Sequence, residues 1–116
     1  MSEHHLMIIG ADRVDAEEAT EVRSPYNGRV LGTVPVGTTD HLDAAIATAK
    51  ATLAAGVMPT HERASILDRM ADSLAAHHEE FAQSISAEAA KPISTARIEA
   101  ARAVDTARFA AAVART

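Results

Sequence analysis

A mostly helical chain with an N-terminal β-hairpin is the fold class this sequence predicts. Three observations carry it. Thr20-Glu21-Val22-Arg23, which alternates polar and apolar, and the strand-like run Arg29 to Val34 flank Ser24-Pro25-Tyr26-Asn27-Gly28, a run of turn formers. From Thr38 onward the apolar residues recur at spacings of three, four and seven, the period of a helix face. Gly56, Pro59 and Pro92 then cut that stretch into separate helices.

Taken in order, residues 1–5 read as a flexible tail and Leu6-Met7-Ile8-Ile9 as a short buried strand ended by Gly10. The acidic stretch from Ala11 to Ala19 reads as loop. Thr20-Glu21-Val22-Arg23 is the first hairpin strand, and Arg29 to Val34 is the second. Pro35 lacks an N–H for the ladder, so the second strand stops there or lies on an edge. Residues 6–36 are thus a strand and a hairpin, and residues 38–116 are helical.

Thr38-Thr39-Asp40 supply N-cap chemistry for the first helix, whose predicted buried stripe is Leu42, Ala45, Ile46, Ala49 and Leu53. Pro59-Thr60 opens the second, with Ile66, Leu67, Met70, Ala71 and Leu74 facing inward. His77-His78 stand at its C-terminus, where a cation interacts well with the exposed carbonyls. Glu79-Glu80 suit the start of a third helix, on which Phe81 and Ile85 continue the buried face as far as Ala90. Proline disfavours helical geometry in the residue before it, so Lys91-Pro92 forces a break. The last helix begins near Ser94 and runs to the end of the chain.

Composition narrows the function. The net charge is −5, from 11 basic and 16 acidic residues, with no basic tract to neutralise nucleic-acid phosphates. The apolar run 6–9 is too short for a membrane span, and no Lys or Arg precedes it as in a secretory signal, so a soluble cytoplasmic protein is expected. Absence of cysteine excludes a disulfide scaffold and a zinc-thiolate site. A chain of 116 residues buries enough surface for a modest core, but Tyr26, Phe81 and Phe109 are its only aromatics and alanine supplies much of the apolar content. No internal repeat and no linker divide it.

Among candidate residues, Arg102 stands out. It interrupts an apolar stripe on the last helix formed by Ile98, Phe109, Ala112 and Val113. One reading is an ion pair with Asp105, three residues on, which contributes a few tenths of a kcal/mol when exposed. The other is an anion-binding arginine, because a guanidinium fork matches a phosphate or carboxylate. The pairs His4-His5 and His77-His78 lack metal-ligand spacing, since neighbours on a helix point about a hundred degrees apart. Ser84 and Ser86 have no neighbouring base that would make either a nucleophile. Gly28 and Gly32 flank a strand rather than joining a strand to a helix, so they serve turn geometry and do not cradle phosphate. Lys91, at a helix end, reads as a cap on the last carbonyls.

Several stretches together resemble aldehyde dehydrogenases. Glu88-Ala89-Ala90-Lys91-Pro92, then Ala96-Arg97-Ile98-Glu99, then Arg102-Ala103-Val104-Asp105-Thr106 are similar to that family's E-A-G-K-P … A-R-x-E-V-x-R-A-x-x-T signature. Val22 to Pro35 looks like its N-terminal hairpin, Asp43-Ala44-Ala45-Ile46 like its first helix, and Glu62-Arg63-Ala64-Ser65-Ile66-Leu67 like the next element. The family's glycine in E-A-G-K-P is Ala90 here. A left-handed helix end at that position costs alanine roughly 1 kcal/mol more than glycine.

The resemblance implies a single partial domain over 1–116: the outer N-terminal portion of an aldehyde dehydrogenase α/β cofactor-binding domain, without its Rossmann-like sheet. It implies a parent that oxidises an aldehyde to an acid with NAD or NADP, through a thiohemiacetal and a thioester on a cysteine. That cysteine, the general-base glutamate and the cofactor-binding glycines match no position in 1–116, so the chain alone is expected to be inactive and to bind no cofactor. The segment from Leu53 to Pro59 looks closer to the branch acting on lactaldehyde, glyceraldehyde 3-phosphate or phosphonoacetaldehyde. By motif, the arginine that holds anionic substrates in such members falls on Arg102. Partners implied are the remainder of the parent enzyme and a small aldehyde. The alternative is a naturally short, non-enzymatic helical module that binds a partner or self-associates through its apolar faces.

Overall fold

The computed structural model describes residues 3–116. In chain order it contains β1 (Glu3–His4), β2 (Met7–Ile9), β3 (Asp12–Val14), β4 (Ala19–Arg23), β5 (Val30–Pro35), α1 (Thr39–Ala54), α2 (Thr60–Ala76), α3 (His78–Ala89) and α4 (Ile93–Ala114). The fold is mostly helical with small N-terminal strands, as the sequence predicts. The chain divides after Val57 into two units, the second being Met58–Thr116.

In the first unit the hairpin forms around the predicted turn, with Gly28 at φ 71° and its N–H donating to the Ser24 carbonyl at 2.8 Å. β4 and β5 pair antiparallel, Ala19 opposite Pro35 and Glu21 opposite Thr33. β5 is the middle strand of the order β1-β5-β4, yet its proline is tolerated. β1 reaches only Gly32 and Thr33, so no ladder donor is asked of Pro35 on that side.

Two predictions for the N-terminal region need correction. Met1 and Ser2 of the predicted tail lie outside the described residues, but Glu3–His4 is a strand, paired in parallel with β5. His5 extends the pairing, donating its N–H to the Thr33 carbonyl at 2.9 Å. Gly32 permits this approach, since a Cβ there would stand 2.9 Å from the Glu3 carbonyl oxygen. Asp12–Val14, expected as loop, is the antiparallel partner of β2. The two-residue turn Gly10–Ala11 joins them with glycine at φ 62° in its first central position, the requirement of a type II′ hairpin turn. Ile8, expected to be buried in the strand, is 69% exposed.

α1 starts at the predicted cap. The Thr38 hydroxyl accepts from the His41 N–H, and His41 Nδ1 accepts from the Thr38 N–H at 3.1 Å, so a histidine takes the role usually filled by Glu or Gln in a capping box. Gly56, at φ 124°, follows its end. The stripe predicted to be buried is not: Leu42, Ile46 and Leu53 are exposed, and α1 has no buried residue.

In the second unit α4 runs antiparallel along α2 and α3. Arg115 pairs with Asp68, Ala71 packs with Val104 and Ala107, and Ala82 packs with Ala96 and Ala100. Leu74 borders the first cluster, and Ile85 and Ile93 the second. The interface is built from small side chains, which let helix axes approach closely. Large residues predicted to face inward consequently lie outside it: Ile66, Met70 and Phe81 are exposed.

α3 ends in a left-handed residue, the conformation that favours the family's glycine at this position, although that residue is Ala90 at φ 53°, ψ 31°. Among the described residues it is the one non-glycine residue with positive φ. Pro92 then precedes α4 with no side-chain cap of its own.

Candidate functional site

The candidate site is built where the chain turns from α3 into α4. Ala90 reverses the backbone, and the Ser86 hydroxyl donates to the Lys91 carbonyl at 2.7 Å, fixing the loop. Lys91 is thereby presented to the first turns of α4, where its Nζ meets Glu99 Oε2 at 2.5 Å. The cap predicted for Lys91 on the α3 carbonyls is replaced by this ion pair. Together with Thr95, Ile98, Arg102, Ala103 and Thr106, the pair lines an open cavity of about 500 Å³.

Arg102 projects from α4 on the side opposite the core. The buried face carries Ala96, Ala100, Val104, Ala107 and Ala111. The stripe through Arg102, predicted to be apolar and packed, points to solvent, with Ile98 63%, Phe109 74% and Val113 56% exposed. Alanine, not the larger residues, meets α2 and α3, and Arg102 therefore interrupts an uncovered apolar face. No ion pair joins it to Asp105, and among the described residues its guanidinium makes no salt bridge. The backbone carbonyl of Arg102 accepts from the Thr106 hydroxyl at 2.8 Å.

A neighbouring network holds α4 in place. Arg97 grips Glu79 through Nε–H to Oε2 at 2.9 Å and Nη2–H to Oε1 at 2.8 Å. Gln83 donates to the same carboxylate at 2.9 Å, and His78 Nε2 donates to the Arg97 carbonyl at 2.9 Å. The Arg97 bonds, aided by Gln83, pull the Glu79 carboxyl from its ordinary 4.5 to about 2, and Glu79 raises Arg97 in return. A carboxyl with a lowered folded-state value binds its proton later than the unfolded chain does. Stability linked to Glu79 is therefore complete above about pH 4.5 and is lost as pH falls towards 2. Both side chains are half exposed, so added salt reduces the effect. Glu79→Gln is expected to flatten the decline in helical circular dichroism melting temperature between these pH values, and equal slopes for variant and parent would contradict the linkage.

A cavity of about 720 Å³ in the first unit has a different character. Asp15, Glu17 and Glu18 line it with Val36, Thr38 and His41. The Ala16 N–H, followed by His4, lowers the Asp15 carboxyl below its usual range. Three carboxylates oppose a pyrophosphate, and Thr38 with its own cap occupies the α1 N-terminus. The β5–α1 connection carries one glycine, Gly37, and β5 belongs to no strand–helix–strand crossover among the described residues. These residues do not fit a dinucleotide. Also among the described residues, no group of three His, Cys, Asp or Glu is arranged to hold a metal ion, and no helix is long and apolar enough to cross a membrane.

The strand hairpin leads into helices whose large apolar side chains stay uncovered. Comparison with known proteins gives the family. The aldehyde dehydrogenase family matches residues 13–116, and the chain belongs to it. Phenylacetaldehyde dehydrogenase of Pseudomonas fluorescens is 38% identical over 84 residues, 68% of this chain and 17% of that protein. The crystal structure of an NAD-dependent aldehyde dehydrogenase from Sinorhizobium meliloti superposes with a TM-score of 0.92 at 32% identity, over 98% of this chain and 24% of that one. Aldehyde dehydrogenase 21 from Physcomitrella patens, in complex with its product succinate, gives 0.89 at 31% identity, over 96% of this chain and 24% of that one. The chain thus spans a quarter or less of the length of these relatives.

Proposed function

We propose that residues 1–116 are one partial domain of a cytoplasmic, NAD- or NADP-dependent enzyme that oxidises a small anionic aldehyde to its acid, with Arg102 holding the anionic group. The observation that carries this reading is a guanidinium with no carboxylate partner among the described residues, set in an open cavity beside the hydroxyl-bearing Thr95 and Thr106. A guanidinium fork suits a carboxylate or phosphate. The succinate product of the Physcomitrella patens enzyme is an acid of this kind, whereas phenylacetaldehyde is neutral.

The uncovered apolar face of α4 supports a second part of the reading. Ile98, Phe109 and Val113 form the surface that the remainder of the enzyme covers, and copies lacking that remainder associate through it. The segment has no cysteine for a thioester, so alone it gives no aldehyde-dependent NAD(P)H.

Arg102→Leu in the enzyme that carries this segment tests the assignment. Its kcat/KM for a carboxylate-bearing aldehyde is expected to fall about ten-fold, the loss of one charge-assisted hydrogen bond at a solvent-accessible position. A neutral aldehyde of the same length should change less than about two-fold. Equal losses for both would make Arg102 a structural residue.

A further inference from the structure

We propose that the start of α1 is a proton-controlled cap, closed by neutral His41 and opened when its imidazole takes up a proton. The direction of one hydrogen bond carries this. A backbone N–H only donates, so the 3.1 Å contact between the Thr38 N–H and His41 Nδ1 requires a lone pair on Nδ1, with the ring proton on Nε2. The imidazolium has a proton on both nitrogens and no acceptor left. Glu or Gln, the usual residues at this position of a capping box, accept through oxygen near neutral pH whatever the proton concentration. His41 accepts in one charge state alone.

Other histidines bonded within the chain differ. His77 Nδ1 donates to the Ser73 carbonyl at 2.8 Å and His78 Nε2 to the Arg97 carbonyl at 2.9 Å, and protonation leaves both bonds intact. His4 stands between the Thr33 hydroxyl and the Asp15 carboxylate, partners that a charged ring suits equally. A charged His41 finds one new partner at hand, Thr38 Oγ1 at 3.2 Å from Nδ1. The same oxygen accepts from the His41 N–H at 3.4 Å. Protonation thus converts a reciprocal pair into two bonds on one hydroxyl and leaves the Thr38 N–H to water. It also puts a positive charge at the positive end of the helix dipole. The groups facing the ring complete the device. Met7, Ile8 and Ile9 of β2 bring no charge, the β3–β4 connection brings Asp15, Glu17 and Glu18, and α1 carries Asp40 in its first turn. Asp15 already accepts from the Ala16 N–H and from His4. Glu17 and Glu18 make no salt bridge among the described residues and are the countercharges for the imidazolium. A proton therefore exchanges the backbone cap of α1 for an electrostatic link to the β3–β4 connection.

The test is NMR spectroscopy of the ¹⁵N-labelled 116-residue chain from about pH 8 to about pH 5, the range in which histidines take up charge. Long-range ¹H–¹⁵N correlations of the His41 ring should show Nδ1 without a proton at the upper end. As the ring titrates, the Thr38 amide proton should shift with the same midpoint. Its exchange protection, corrected for the intrinsic rate, should fall about five-fold, the scale of one lost capping bond. The α4 amides, in the other unit, should keep their protection. His41→Gln retains an acceptor throughout, so the Thr38 amide should hold its shift and protection across the whole range. In His41→Ala its protection should be low at both ends. Nδ1 carrying the proton at the upper end, a Thr38 amide that ignores the His41 titration, or the same Thr38 response in His41→Gln would each overturn the proposal.

Discussion

Leucine in place of Ala71 is expected to destabilise the Met58–Thr116 unit by about 1–3 kcal/mol, the usual cost of forcing extra carbon atoms into a packed interior. Ala71 has no exposed surface and lies between α2 and α4 against Val104 and Ala107, with Leu74 alongside. Its methyl group sets how closely the two helices approach. Three additional carbons either push α4 outward or drive Val104 off its rotamer, and the Arg115–Asp68 pair on the same interface moves with it. Urea unfolding followed by far-UV circular dichroism measures the change. Ala75→Leu, at an exposed position of the same helix, is the control, and an equal response in both would mean that the α2–α4 contact is not tightly packed.

Gly10→Val is expected to cost about 2–3 kcal/mol in the first unit. Gly10 has φ 62°, a region a β-branched residue enters only under strain. A Cβ would also stand 2.8 Å from Cγ2 of Thr48, on α1. Rotation of the threonine relieves the contact but leaves the backbone strain. Hydrogen exchange at the Met7–Ile9 and Asp12–Val14 amides should accelerate, while the α4 amides keep their rates. Unchanged exchange in both strands would show that the turn does not need left-handed geometry at this position.

Legibility in the sequence differed by element, for physical reasons. Helix limits were readable because their signals are local: Thr38 caps α1, Pro59 precedes α2, and Ala90-Lys91-Pro92 separates α3 from α4. The Glu3–His4 strand was not, because its partner Gly32–Thr33 lies 29 residues away and two residues carry no periodicity. Asp12–Val14 reads as acidic loop because its pairing depends on the turn at Gly10 rather than on alternation. Choosing the buried face by size failed on α1 and α4 and held only in part on α2 and α3, where Ala71, Leu74 and Ile85 pack inward as predicted but Ile66, Met70 and Phe81 do not. Leu42, Ile66, Met70, Ile98 and Phe109 are exposed, while alanines fill the interior of the second unit. A segment whose outward surface suits further polypeptide has two apolar faces, and periodicity alone does not say which is packed within it. Arg102 was conspicuous in the sequence, but the Lys91–Glu99 pair beside it spans eight residues across a proline break and follows from the fold.

The alanine interior also sets how the protein responds to temperature. Among the described residues, seven of the eight buried apolar residues are alanine, the other being Val104. Unfolding such a core brings little new hydrocarbon into water, and the heat-capacity increment of unfolding scales with that newly wetted surface. The increment per residue therefore falls below the roughly 12–15 cal/mol/K typical of globular domains. Free energy then curves gently with temperature, and cold weakens the fold little.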